Sequence, residues 1–328
     1  TYDFASRPYA SANDVFVSGD YAYLTYSDDD EEETGLEIID ISDPSSPALE
    51  GDWTISLSSN SAEGVFVSGS YAYVASQADG LRIINVSTPA SPSLTGTYNT
   101  SGLAYGVAVS GDYAYVADSS NGLEIIDVST PSSPSREGGY DTDQIALDVV
   151  VSGDHAYVAD GTDGLQIIDV STPSSPSLEG SYDTDQARGV FVSGAYAYIA
   201  DDSAGLVVIN ITDPSSPTLA GTYDTSVTAY LGVHTVGTKA YVADSTSGLR
   251  IIDVARDTAE LWSIKLMADE DDGDSDSDVE ELVRPPVGYN PVPQYAQDAA
   301  RDGTPFDGRI YRLGMVGSPA HLEMESTR

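Results

Sequence analysis

Short runs of mainly apolar residues fill most of the first 256 positions, separated by turns rich in Gly, Ser, Asp and Pro. One stretch shows the pattern clearly: predicted strands cover Gly189–Val192, Tyr196–Ala200, Leu206–Asn210 and Leu219–Tyr223. Ser193-Gly194 predicts a tight turn between the first two strands, and a proline-rich turn precedes the fourth. The stretch therefore predicts a four-stranded antiparallel meander.

The same meander recurs along the chain. Its turn glycine marks each copy, at intervals of 50, 42, 42, 41 and 43 residues: Gly19, Gly69, Gly111, Gly153, Gly194 and Gly237. A period of this length with several short strands is typical of β-propellers. Helical solenoids of similar period would need a helical periodicity that the sequence lacks.

Both faces of the predicted strands are apolar. In the third strand of the third copy, Leu123 and Ile125 point to one face while Ile126 and Val128 point to the other. A lone meander would leave one face in water, whereas blades stacked around an axis bury both. The sequence therefore predicts an all-β, six-bladed β-propeller over residues 1–267, then an acidic linker at 268–283 and an extended C-terminal arm or small module at 284–328.

Closure of the last blade has two candidate strands. The first five copies carry a pair of prolines in the third turn, which we interpret as structural, but the sixth copy has none after Val254. Thr1-Tyr2-Asp3 matches the ending of the other outer strands, so the N-terminus can complete the ring. Leu261–Leu266 stands at the right distance to be a rival outer strand. In the C-terminal arm, Gly308–Leu313 is the segment that best fits a strand.

Three five-residue segments are nearly identical: Leu-Glu-Ile-Ile-Asp at 123–127, Leu-Gln-Ile-Ile-Asp at 165–169 and Leu-Arg-Ile-Ile-Asp at 249–253. Each follows Tyr-Val-Ala-Asp and a Gly. They resemble the LVIVD repeat. The resemblance covers roughly residues 12–256 and implies a propeller of the kind associated with bacterial and archaeal cell-surface proteins. It supplies no catalytic residues, because the shared positions are structural.

Charge and composition narrow the possible partners. The formal net charge is −40, which argues against nucleic acid as a partner and suits a halophilic source, where high salt screens self-repulsion. There is no cysteine, and no apolar run reaches the ~18 residues of a membrane helix. Starting at Thr1 without methionine, the chain resembles a processed product of export. Asn85, Asn99 and Asn210 head glycosylation sequons, which also arise by chance in a chain rich in Ser and Thr.

The first strand of each copy follows the same sequence template, but one position within the template differs from copy to copy. In the template Ala-x-x-Val-x-Val, the first variable position is occupied by Asn13, Glu63, Tyr105, Leu147, Arg188 and, allowing one inserted residue, Tyr230. Such variation is expected of a ligand-binding channel mouth, and equally of drift at a solvated position. Arg188 beside two tyrosines predicts an acidic or sugar ligand.

Acidic residues also gather in the loops expected at that mouth. Four of them end the second strands and are candidate Ca²⁺ ligands: Asp118, Asp160, Asp201 and Asp244. The alternative, which we favour, is that each Asp caps its own turn. The acidic stretch at 269–281 lacks the full ligand set of a helix-loop-helix calcium loop and is better explained as a disordered linker.

Catalytic patterns are weak. The histidines are isolated, and the sequence contains neither a nucleophile elbow nor a phosphate-binding glycine loop. We therefore expect a non-catalytic, exported surface protein, either a structural subunit that assembles with itself or other surface proteins, or an adhesion and recognition module. The alternatives are a ligand- or glycan-binding propeller with Ca²⁺-supported loops and, less favoured, a propeller hydrolase or lyase.

Overall fold

The computed structural model describes residues 10–28, 33–56, 61–223, 230–244, 248–254, 312–316 and 321–325.

The first three blades occupy the N-terminal half of the repeat region. The first blade contains β1 (Ala10–Ser18), β2 (Tyr21–Asp28), β3 (Glu33–Asp40) and β4 (Ala48–Ser56). The second contains β5 (Val65–Ser68), β6 (Tyr71–Ala75), β7 (Leu81–Asn85) and β8 (Ser93–Tyr98). The third contains β9 (Gly106–Ser110), β10 (Tyr113–Ala117), β11 (Leu123–Asp127) and β12 (Ser135–Tyr140).

The remaining blades repeat this order. The fourth contains β13 (Asp148–Ser152), β14 (His155–Ala159), β15 (Leu165–Asp169) and β16 (Ser177–Tyr182). The fifth contains β17 (Ala187–Ser193), β18 (Tyr196–Asp201), β19 (Gly205–Asn210) and β20 (Thr218–Tyr223). In the sixth, the described strands are β21 (Tyr230–Val236), β22 (Lys239–Asp244) and β23 (Gly248–Asp253). Each sheet is an antiparallel meander, as the sequence predicts.

The blades stand around a common axis with their first strands innermost. The first strand of each blade lies next to the first strand of the following blade, from β1 through β21. Six blades in this arrangement form a six-bladed β-propeller, so the sequence-based prediction of fold is confirmed. Because the inner strands line the axis, the residues at their ends surround the mouth of the central channel.

The core lies between blades. Leu123 and Ile125 pack against Ala146 and Val149 of the fourth blade. On the opposite face of the third blade, Ile126 and Val128 belong to a different cluster, shared with the second blade. This arrangement confirms the prediction that both faces of a blade are buried by its neighbours.

The repeated prolines lie at the contacts between outer strands. In the first four blades, a bulge in the outer strand places a glycine against the proline turn of the next blade, so that a Cβ at Gly96 would overlap the carbonyl oxygen of Pro131. Gly138 meets Pro173 in the same way, and Gly180 meets Pro214. These close contacts with backbone leave no room for a Cβ and therefore require glycine.

The junction between the sixth and first blades differs from the others. Val107, Val149 and Val190 are buried against the preceding blade, whereas Val15, at the same position in the first blade, is 55% exposed. Leu249 and Ile251 of the sixth blade are 64% and 59% exposed, although their counterparts in the other blades are buried. We call these two exposed apolar faces the seam. Both candidates for the last outer strand, residues 1–3 and 261–266, lie outside the described residues.

The chain divides into two units, Thr1–Lys265 and Leu266–Arg328. In the second unit, β24 (Arg312–Val316) pairs with β25 (His321–Glu325) in an antiparallel hairpin. The sequence-predicted strand at 308–313 overlaps the start of β24, while the acidic linker at 268–283 lies outside the described residues. Among the residues that are described, no helix has the length and apolar character to cross a membrane.

Candidate functional site

The variable position of the first strand lies on a β-bulge. In the second blade both Glu63 and Gly64 bond to Ala75, so two residues oppose one. The register of the first blade skips Asn13, and that of the fifth skips Arg188. A bulge leaves one residue unpaired and re-aims its side chain, which is why bulges recur beside binding sites.

The register corrects one member of this set. In the sixth blade Tyr230 pairs with Asp244, as Ala187 pairs with Asp201 in the fifth, and the bulged residue is Leu231. Tyr230 therefore takes the place of the template alanine, one position from where the sequence comparison put it, and its side chain lies outside the described part of the structure. We define the bulge ring by its six bulged positions: Asn13, Glu63, Tyr105, Leu147, Arg188 and Leu231.

Polar members of the bulge ring are held by neighbouring groups. Asn13 donates from Nδ2 to the carbonyl oxygen of Ala62 at 2.8 Å, which joins the first blade to the second. Glu63 Oε1 accepts a hydrogen bond of 2.7 Å from Gln77 Nε2. Tyr105 and Leu147 are half-buried. The described side chains of the ring thus differ in chemistry, and those of Asn13 and Glu63 are held in place by neighbouring groups.

Arg188 differs from its sequence-based interpretation. Its guanidinium forms an ion pair of 2.6 Å with Asp202, and its side chain is 35% exposed. The positive charge is therefore largely compensated within the fifth blade. The structure thus weakens the expectation of an acidic ligand while keeping Arg188 at the mouth.

Directly below the bulge ring lies a second layer, formed by the next residue of each first strand. Glycine fills it in four blades and aspartate in two, at Asp14 and Asp148. Asp14 Oδ2 accepts the backbone N–H of Val65 at 2.8 Å, and Asp148 Oδ2 accepts that of Val190 at 2.9 Å. Each carboxylate therefore joins its own blade to the next one. Sequence reasoning missed both, although aspartate among glycines in an otherwise repeated position was a visible signal.

Burial at the centre of the propeller raises the pKa of Asp148 to about 7. The hydrogen bonds from Val190 and Val149 oppose this rise, while the negative charge of Asp14 adds to it. Burial likewise raises the pKa of Asp14. Solvent in the channel still reaches both side chains, since Asp148 is half-buried and Asp14 is exposed. Asp148 can therefore exchange a proton with channel water near neutral pH.

The four candidate Ca²⁺ ligands are spread over separate blades. Asp118 accepts hydrogen bonds from Thr100 at 2.5 Å, Asn121 at 2.9 Å and the N–H of Gly102 at 3.0 Å. Asp201 accepts from the N–H groups of Gln186 and Ala204. Asp201 thus caps its own turn through Ala204, whereas Asp118 binds its own turn through Asn121 and also joins it to Thr100 and Gly102 of the preceding loop.

Asp160 is fully buried and accepts a hydrogen bond of 2.6 Å from Thr142. The side chain of Asp244 lies outside the described residues. Within the parts of the chain that the structure describes, no three acidic or histidine side chains form a group that could hold a metal ion.

Two of the sequon asparagines cap turns at the opposite end of the blades from the mouth. Asn85 Oδ1 accepts the N–H of Ser87 at 2.9 Å, and Asn210 Oδ1 accepts that of Thr212 at 2.9 Å. Asp127 makes the same bond to Ser129 in the third blade. Asn99 is exposed, and its Nδ2 donates to the carbonyl oxygen of Ala78 at 3.0 Å.

The meander blades, the inner ring of first strands and the bulged mouth define the class of β-propeller proteins. The LVIVD repeat matches the chain six times, at residues 10–54, 59–100, 101–142, 144–184, 186–225 and 233–259. The chain belongs to the LVIVD repeat family, and the resemblance of its repeated segments to the LVIVD repeat is confirmed. A comparison with curated proteins found no match.

Solved structures support the fold. The β-propeller domain of Cps50 (Swd1) from Myceliophteria thermophila has a TM-score of 0.56 at 12% identity, covering 72% of this chain and 80% of that one. The computationally designed Ika8 protein has a TM-score of 0.55 at 8% identity, covering 75% and 72% respectively. At such low identity these similarities concern the fold alone.

Proposed function

We propose that this protein is a non-catalytic recognition module, exported to the cell surface, that binds a carbohydrate chain across the bulge ring. One observation carries the proposal. Six equivalent bulges on a repeated frame surround a single channel mouth, and the five whose side chains are described carry unlike residues: Asn13, Glu63, Tyr105, Leu147 and Arg188. Ligand-binding sites are typically formed by variable side chains that a rigid scaffold holds around one opening.

The chemistry of the ring suits a neutral, hydroxyl-rich ligand. Tyr105 is half-buried and supplies an aromatic surface, while Asn13 and Glu63 supply polar groups that neighbouring residues already orient. Because Asp202 compensates Arg188, the pair offers a donor and an acceptor without a net positive charge. Sugars are recognised by such a combination of an aromatic surface and fixed polar groups, and pre-oriented side chains lose little entropy on binding.

Binding to a glycan array, followed by titration of the best glycan, tests this proposal. We expect Tyr105→Ala to weaken binding at least about tenfold, a change of roughly 1.4 kcal/mol. Tyr113→Ala is the matched control, because Tyr113 lies at the opposite end of the same blade. Equal loss in both variants, or no glycan bound by the wild type, would reject the carbohydrate assignment. Recovery of shortened glycans would reject the non-catalytic one.

A second function, assembly with copies of itself, is favoured by the seam. The exposed face of Leu249 and Ile251 is equivalent to faces that elsewhere bury themselves against the next blade. A second copy carries the complementary face at Val15, so the contact can repeat head to tail. Contiguous exposed apolar surface of this kind is typical of interaction sites.

Light scattering over a range of protein and salt concentrations tests assembly. We expect the mass to rise with concentration, and Leu249→Asp to abolish the rise. Leu219→Asp is the control, since Leu219 is exposed on an outer strand away from the seam. A wild-type protein that remains monomeric throughout would refute assembly through the seam.

A further inference from the structure

The turn after the second strand has the same backbone in the third and fourth blades. Asp118 donates its N–H to Gly122 O at 2.8 Å, and Asp160 donates to Gly164 O at 2.8 Å. Three residues later, Asn121 donates its N–H to Asp118 O at 3.0 Å, and Asp163 donates to Asp160 O at 3.0 Å. The two turns therefore place their side chains in equivalent positions.

One side-chain difference changes the chemistry of the turn. In the third blade, Asn121 Nδ2 donates to Asp118 Oδ2 at 2.9 Å and lies 3.5 Å from the carbonyl oxygen of Thr100. In the fourth blade the equivalent residue is Asp163, whose carboxylate can only accept. A positively polarised amide group is thus replaced by a second negative charge at the same place.

The replacement leaves a buried oxygen without a donor. Asp160 is 0% exposed, and its Oδ2 atom has no hydrogen-bond partner among the described residues. Burial raises the pKa of Asp160 to about 6; the bond from Thr142 opposes the rise, and the charges of Asp163 and Asp143 add to it. The N–H of Gln144 also lowers the pKa, although its geometry falls short of a hydrogen bond to Oδ2. An unpartnered buried carboxylate oxygen is costly, so a ligand is expected there.

The second blade compensates the corresponding charge internally. In the second blade Ser76 replaces the buried aspartate, and Asp79, at the position of Asp163, forms an ion pair of 2.7 Å with Arg82. The residue equivalent to Arg82 in the fourth blade is Gln166, which donates to the backbone oxygen of Asp163 at 2.9 Å. The carboxylate of Asp163 makes no hydrogen bond in the region described, so the fourth blade retains two uncompensated carboxylates in one turn.

We propose that the fourth blade binds a hard cation, of which Ca²⁺ is the best fit, between the carboxylates of Asp160 and Asp163. The cation takes the place that the Asn121 amide has in the third blade. By that equivalence it has three protein oxygens: Asp160 Oδ2, the Asp163 carboxylate and the carbonyl of Thr142. Water completes the six to eight oxygen ligands that Ca²⁺ takes. The site is a single turn, distinct from the bulge ring and independent of the proposed carbohydrate binding.

Thermal unfolding with CaCl₂ tests the proposal, with MgCl₂ and NaCl at matched ionic strength as controls. We expect saturating Ca²⁺ to raise Tm by about 5 °C, the shift that binding to the folded state alone produces in a chain of this size. Asp163→Asn converts the turn to that of the third blade. This variant is expected to lose the Ca²⁺ response while remaining at least as stable as the wild type in chelator.

The reciprocal variant makes the test independent of any loss of fold. Asn121→Asp copies the fourth-blade turn into the third blade and is expected to add a second site, seen as two Ca²⁺ bound per chain by calorimetry instead of one. A wild type without a specific Ca²⁺ response would overturn the proposal, and so would an Asp163→Asn variant that keeps it. A pH-dependent change in Tm near pH 6 without Ca²⁺ dependence would show that a proton, and no cation, occupies the turn.

Discussion

Asp148 Oδ2 accepts the backbone N–H of Val190 at 2.9 Å, so a side chain of the fourth blade caps the inner strand of the fifth. Asp14 makes the equivalent bond from the first blade to Val65 of the second. The two aspartates interact, because the charge of Asp14 raises the pKa of Asp148. The inner layer of the propeller is therefore joined by carboxylates that also destabilise one another.

This layer predicts a pH-dependent stability. Asp148 titrates near pH 7 in the folded protein and near its ordinary 3.8 when unfolded. Between these values the folded state binds the extra proton, so stability falls as pH rises from about 4 to about 7. We expect Asp148→Asn to flatten this fall and to raise the free energy of unfolding at pH 8 by about 1–2 kcal/mol, since channel water screens part of the cost. Urea midpoints at pH 5 and pH 8 measure the effect, and an unchanged pH profile would contradict it.

The contact between outer strands and proline turns predicts that no residue larger than glycine is tolerated at the outer-strand glycines. Gly96→Ala places a methyl group against the carbonyl oxygen of Pro131, which is backbone and cannot rotate away. We expect a loss of about 3 kcal/mol or more in the free energy of unfolding. Gly232→Ala is the control, because its Cβ would meet no atom within 4 Å. Comparable stability of the two variants by chemical denaturation would argue against the contact.

The third blade contains an ion pair at positions that Gln166 and Leu178 occupy in the fourth blade. Arg136 Nε lies 2.7 Å from Glu124 Oε1, and burial raises the pKa of Glu124 while Arg136 opposes the rise. Arg136→Leu leaves a buried carboxylate unpaired, with an expected cost of about 1–2 kcal/mol. The double variant Arg136→Leu, Glu124→Gln reproduces the Gln166 and Leu178 pair of the fourth blade and is expected to recover that loss. A double variant no better than Arg136→Leu alone, in thermal unfolding, would show that the two residues are not coupled.

The exposure of the seam predicts reactivity at its surface. Because the chain has no cysteine, a single introduced thiol reports on one position. Val15→Cys is expected to react with maleimide in the native protein at a rate near that of the unfolded chain. Val107→Cys, buried at 7% exposure in the same position of the third blade, is expected to be protected by at least about tenfold. Protection at both positions in a monomer would show instead that the first blade is covered in solution.

The turn geometry predicts which sequons carry glycans if the protein is exported. Asn85 and Asn210 use Oδ1 to cap their turns, while the Nδ2 atom that would be glycosylated makes no hydrogen bond in the described residues. Asn99 uses Nδ2 to bond Ala78 O. We expect occupancy at Asn85 and Asn210 to exceed that at Asn99, as measured by mass spectrometry of peptides from protein purified from its source. Higher occupancy at Asn99 would contradict this order.

Much of the fold could be predicted from the sequence repeat, whereas only the approximate position of the bulge ring could be predicted. The alternation in Leu123, Ile125, Ile126 and Val128 predicted two buried faces, because side chains in a strand alternate whatever the surroundings. The register of the bulge was predicted one residue off in the sixth blade, because an inserted residue led the alignment to Tyr230 although the bulged residue is Leu231. The pairing of Arg188 with Asp202 was also hidden, since it depends on how a loop places its carboxylate.

By itself the sequence determined the number of blades, their strand order and the positions that vary among them, since these follow from local periodicity and turn chemistry. Tertiary structure decided what each variable residue contacts. It placed Asp148 against Val190 and Gly96 against Pro131, and it left the Oδ2 atom of Asp160 without a hydrogen-bond partner among the described residues. Such contacts join residues distant in the chain or depend on burial, and both arise only when the blades pack around their axis.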